Sequence, residues 1–187
     1  MSAQVQILDK IRERAGARKG YPLILLHRGS SWIARLIQLL LYWNHASVLV
    51  IGGEGQPWVE FEARARGVVM NVFCDNDLPR EWAILDVLPS LTSQESALLL
   101  GACIGSLGKL YGFVAIPRIL WELIRRKLSG VFSRDVLPPR PYEVCSSLVN
   151  VVYTAAGRPL VDKRFPTPDD IADSPHVWIV MRSGEVE

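Results

Sequence analysis

Cysteine and histidine are both scarce in this chain, three of each among 187 residues, and their scarcity narrows the chemistry. An odd number of cysteines without paired spacing excludes a disulfide framework and points to a reducing, cytoplasmic setting. No Cys-x-x-Cys or His-x-x-x-His spacing exists, so neither a metal site nor a cofactor is expected. A dominant charge sign is lacking too: the net charge of +2 supplies no global footprint for nucleic acid, which is not an expected partner. Long apolar runs are missing. The most hydrophobic stretch, Trp32 to Trp43, is interrupted by Arg35 and is too short to span a bilayer. The segment from Met1 to Gly20 carries Lys10, Arg12, Glu13, Arg14, Arg18 and Lys19, which makes it a short helical extension rather than an export signal. Repeats and low-complexity tracts are absent.

What is present suffices for one core. Hydrophobic residues make up 49% of the chain, enough for a single catalytic-size domain over 21–187. Strand-like, β-branched or alternating runs occur at Tyr21–Leu26, His45–Ile51, Pro57–Ala63, Val68–Phe73, Trp82–Val87 and Val177–Met181. Gly52-Gly53-Glu54-Gly55-Gln56 joins the second and third as an antiparallel hairpin. Helical spacing predicts helices over about 32–43, from the Thr92–Glu95 capping box to about Leu107, over 116–128 behind Pro117, and from Cys145 to Ala156 before Gly157 and Pro159. The expected class is α+β, a mainly antiparallel sheet against the Cys145 helix, with a helical insertion near 111–130.

Cys145 is the residue with the most chemistry in its position. In the first turn of a helix a thiol faces unsatisfied backbone N–H groups and the positive end of the dipole, which favour thiolate and can also hold an oxyanion. Cys103 lies in an apolar helix, and Cys74 stands beside the acids Asp75 and Asp77, so neither reads as a nucleophile. Of the three histidines, His45 opens a buried strand, whereas His27 at a strand end and His176 after Pro175 read as structural or exposed. Glu60 and Glu62 share one face of the strand across the hairpin from His45. Either can orient the imidazole and stabilise its cation, the third part of a Cys-His-acid site. On the residues alone, an inert buried cysteine and a core histidine form the more ordinary alternative.

Five motifs fall in a telling order: Asn44-His45-Ala46-Ser47-Val48, Val59-Glu60 with Gly67-Val68, Gly108-Lys109-Leu110-Tyr111-Gly112, Tyr142-Glu143-Val144-Cys145-Ser146-Ser147, and Thr167-Pro168-Asp169-Asp170-Ile171. Together they resemble the permuted papain-like amidases of the YaeF/YiiX type, relatives of the NlpC-type cysteine peptidases and of lecithin–retinol acyltransferase. The resemblance spans most of 21–181. It implies a circularly permuted papain-like fold in which the histidine precedes the cysteine. It also implies a cysteine hydrolase that cleaves an amide, peptide or isopeptide-like, through a thioester, with Cys145 as nucleophile and His45 as base. Glu60 matches the family's hydrophobic-Glu position and is preferred over Glu62 as third member, although Phe61 replaces the usual Ala. Tyr111 is implied as a further polar contact, although Gly112 stands where the family often has Asp. The expected partner is a peptide-like or acyl substrate. Alternatives are a lipid-directed acyltransferase or thioesterase using the same site, with a membrane surface as the less favoured partner, and a non-catalytic binding module.

Overall fold

A computed structural model describes residues 5–29, 35, 38–39, 41–53, 56–64, 67–109, 145–163 and 166–185. Six strands form one antiparallel sheet: β1 (Pro22–His27), β2 (His45–Val50), β3 (Trp58–Arg64), β4 (Gly67–Phe73), β5 (Trp82–Val87) and β6 (Val177–Arg182), in the order β4-β3-β2-β1-β5-β6. The helices are α1 (Val5–Ala15), α2 (Ser93–Ser106), α3 (Cys145–Ala155) and α4 (Pro168–Ala172). All six strand-like runs of the sequence are strands of this sheet, and the architecture is α+β. The expected helices over 32–43 and 116–128, the insertion near 111–130 and Tyr111 lie mostly or wholly outside the described residues.

The central strands carry the core because their sequences are apolar on both faces. Leu23, Ile24, Leu26, Ala46, Val48, Leu49, Ile84 and Leu85 are all fully buried, the pattern of strands covered on either side. At the end of the chain's first segment, α1 packs on β6 and buries Leu8 and Ile11, while the Leu8 N–H donates to Asp75 Oδ1 at 3.1 Å. The Thr92 capping box starts α2 as its sequence predicts, with Thr92 Oγ1 accepting from the Glu95 N–H and Glu95 reaching back to the Thr92 N–H.

Packing of α3 on β2 and β3, and against α2, is what brings the two halves of the chain together. Its buried residues Leu148, Val149, Val152 and Tyr153 recur at helical spacing and form the apolar stripe that demands a partner. A buried amide then fixes its position. Asn150 Oδ1 accepts the N–H groups of Leu160 and Val161 at 3.2 and 3.1 Å, and its Nδ2 donates to the Val161 carbonyl at 3.1 Å.

The hairpin between β2 and β3 is tight at its closing end. A Cβ at Gly52 would meet the Pro57 backbone oxygen and lie 2.6 Å from that of Gln56, backbone atoms that cannot swing aside. Gly52→Ala is therefore expected to destabilise the fold by about 1–3 kcal/mol, the usual cost of overpacking. Urea unfolding with an unchanged m-value and a lowered midpoint is the check; an unchanged midpoint would show that the hairpin yields.

Candidate active site

Strand alternation and register decide which polar side chains meet. His27 stands opposite His45 across the β1–β2 pair, and Leu49 stands opposite Glu60 across β2–β3. Stepping by two along each strand places His27, His45, Ser47, Glu60, Glu62 and Asn71 on one sheet face. His27, His45, Glu60, Glu62, Arg64 and Asn71 help to line a cavity of about 420 Å³ there, within the range that small ligands occupy.

Cys145 is the first described residue of α3 and is 7% exposed. The His45 side chain and the backbone N–H groups of Ala46 and Ser146 stand close enough to act on its thiol. Burial acts to raise the thiol pKa, but the contact with His45, its positive charge and the two N–H groups outweigh it, and the net shift is downward. For His45 burial alone would favour the neutral ring. The contacts and charges of Cys145 and Glu62 reverse this and lift its pKa from 6.5 to about 10. A thiolate–imidazolium pair is the state these surroundings favour.

Glu62 holds the other side of that imidazole. Its Oε2 lies 3.3 Å from His45 Nε2, within ion-pair range although not aligned as a linear hydrogen bond. Taking a carboxylate out of water costs several kcal/mol unless it is well paired. Glu62 is 5% exposed and is compensated threefold, by His45, by Asn71 Nδ2 at 2.7 Å and by Arg64 at 2.5 Å. Burial would raise its pKa, but these partners bring it below the usual carboxylate value. Glu60 is equally buried, at 7%, and its Oε1 accepts the Ser47 hydroxyl at 2.6 Å. Burial first and the charge of Glu62 second push its pKa up, so the pair shares its ionisation unequally, with Glu62 the charged member.

Register places Glu62, and not the Glu60 preferred from sequence, against His45. Glu60 faces Leu49, a step of two residues farther from His45 than Glu62 is, roughly 7 Å along the strand. Spacing within β3 cannot reveal this, because both glutamates share a face. Ser47, Asn71 and Arg64, which sort the two carboxylates, were not singled out from sequence either. His27, read as structural or exposed, is half-buried with its ring 4.6 Å from that of His45. Burial, and then the charge of His45, lower its pKa to about 3, so it stays neutral beside the charged ring. Cys103 is fully buried in α2 with its thiol raised to about 12 by burial, and Cys74 is exposed.

No family model matches the chain, and no curated protein matches it significantly. A solved structure does: "metalloprotein yiiX from Escherichia coli O157:H7, DUF1105" has a TM-score of 0.52, is 17% identical, and the match covers 89% of this chain and 98% of that one. The fold is YiiX-like. At that identity the likeness concerns architecture alone. The YiiX structure is titled a metalloprotein. Among the described residues here, no three His, Cys, Asp or Glu side chains are grouped so that they could hold a metal ion. Among the described residues no helix is long and apolar enough to cross a membrane.

The two glutamates should separate in solution. Glu62→Gln removes the charge that holds His45 protonated, so the histidine pKa falls and the thiol pKa rises. Iodoacetamide labelling of Cys145 on the acid side of its profile then slows, by about tenfold for each pH unit that the thiol pKa rises. Glu60→Gln keeps an acceptor for Ser47 and should leave the labelling profile almost unchanged. A larger effect from Glu60→Gln, read by peptide mapping across pH 5–9, would return the third role to Glu60.

Proposed function

We propose that this chain is a cysteine hydrolase of permuted papain-like architecture that cleaves amide bonds, peptide or isopeptide-like, through a thioester. The observation that carries the reading is the Cys145–His45 contact, formed between helix α3 and the first residue of β2. Placing nucleophile and base on separate rigid elements fixes their mutual geometry before substrate arrives.

In this mechanism the Cys145 thiolate attacks the carbonyl carbon, and the oxygen gathers negative charge. In this reading the Cys145 backbone N–H is the oxyanion donor. Collapse breaks the C–N bond as His45 delivers its proton to the departing amine, leaving a thioester on Cys145. Neutral His45 then takes a proton from water, the hydroxide attacks the thioester, and the acid departs with the thiolate restored. Glu62 stabilises the imidazolium throughout and orients its ring. His27, neutral beside His45, adds no competing positive charge to the thiolate.

Intact mass spectrometry after exposure to a panel of peptide amides and acyl esters tests this. An acyl mass should appear on the wild type and map to Cys145, and Cys145→Ala should show none. His45→Ala should slow its formation by about 10²–10⁴-fold, the usual contribution of a positioned base. An adduct on Cys74, or one undiminished in His45→Ala, would overturn the assignment. Acylation by lipid esters alone would make the chain an acyltransferase or thioesterase at the same site.

A further inference from the structure

The turn Thr167-Pro168-Asp169-Asp170-Ile171 has no part in the reaction above, yet it touches both halves of the site. Its own start is closed without Asp169. Thr167 Oγ1 accepts the Asp170 N–H at 3.1 Å, Asp170 Oδ2 accepts the Thr167 N–H at 2.8 Å, and Pro168 fills the first turn. Asp169 is therefore spare as a cap, and its carboxylate reaches across the molecule. Oδ2 accepts the Tyr42 N–H at 2.8 Å and Oδ1 accepts the Trp43 N–H at 2.7 Å.

Those two N–H groups belong to the segment that leads straight into His45. The next residue is tethered from elsewhere: Asn44 Oδ1 accepts the Gly29 N–H at 2.8 Å. The same turn also holds the nucleophile's helix. Ser146, 3% exposed and the residue after Cys145, donates its hydroxyl to the Pro166 carbonyl at 2.6 Å. The short stretch from Pro166 to Asp169 thus grips the chain just before the base and just after the nucleophile. A carboxylate accepting two successive backbone N–H groups is a charge-assisted, two-point contact that fixes direction as well as distance.

We propose that Asp169 is the positioning residue that sets the approach of His45 to Cys145, by tying the entry of β2 to the turn that holds the head of α3. This rests on the cysteine-hydrolase reading. A misplacement of about 1 Å at a reacting pair costs on the order of a hundredfold, so loosening one end of this brace is felt at the sulfur although Asp169 touches neither reacting atom.

The test is the pH profile of Cys145 alkylation by iodoacetamide, read by peptide mass, together with the thermal unfolding midpoint. Asp169→Asn is nearly isosteric but turns an amide donor toward a backbone donor. Its profile midpoint should rise by about one pH unit, slowing labelling on the acid side of the profile about tenfold, in protein that remains folded. Asp169→Ala, which loses both acceptors, should move the midpoint further in the same direction; the isosteric variant carries the result where the alanine variant does not fold. A folded Asp169→Asn with a lowered unfolding midpoint and an unmoved alkylation profile would show a purely structural residue and overturn the inference. A wild-type Cys145 that labels no faster than Cys74 at pH 6 would instead sink the hydrolase reading on which it rests.

Discussion

Everything at this site depends on one buried imidazole being held from both sides. His45 contacts the Cys145 thiol with one edge and Glu62 with the other. Without these two neighbours burial would leave a neutral ring, as it does for His27 in the adjacent strand. The two histidines stand opposite each other in the same sheet, so their contrast is a matter of partners and not of depth. Desolvation is the first influence on each; only His45 has enough negative charge nearby to reverse it.

The carboxylates repeat that logic. Glu60 and Glu62 share a strand face and a degree of burial, but Glu62 has a histidine, an amide and a guanidinium to offset its desolvation, whereas Ser47 bonds Glu60. Two adjacent buried carboxylates rarely ionise together. The one with the cationic neighbours carries the charge.

Much of this was legible in the residues. Six strand segments, the Thr92 capping box and the helix that carries Leu148, Val149 and Val152 follow from alternation, helical spacing and capping chemistry, which are local rules. Cys145 and His45 stood out because cysteine and histidine are rare and each opens a regular element. What could not be read was anything that depends on register between strands. The choice of Glu62 requires knowing that Leu49, and not His45 or Ser47, faces Glu60, and the turn residues alone leave that open by a step of two. The grip of Asp169 on Tyr42 and Trp43 is longer in range still, joining segments that share no pattern.

A final consequence lies in how far apart in the chain the two partners of the site stand. Cys145 owes its lowered pKa to His45 and to the Ala46 N–H, both contributed by a strand laid down much earlier in the sequence. Such a pairing exists only once the sheet has formed and α3 has docked on it, for no local segment contains its parts. An unfolded or half-built chain carries three ordinary thiols. Whatever reactivity the lowered pKa confers on Cys145 is thereby withheld until the fold is complete, by topology alone.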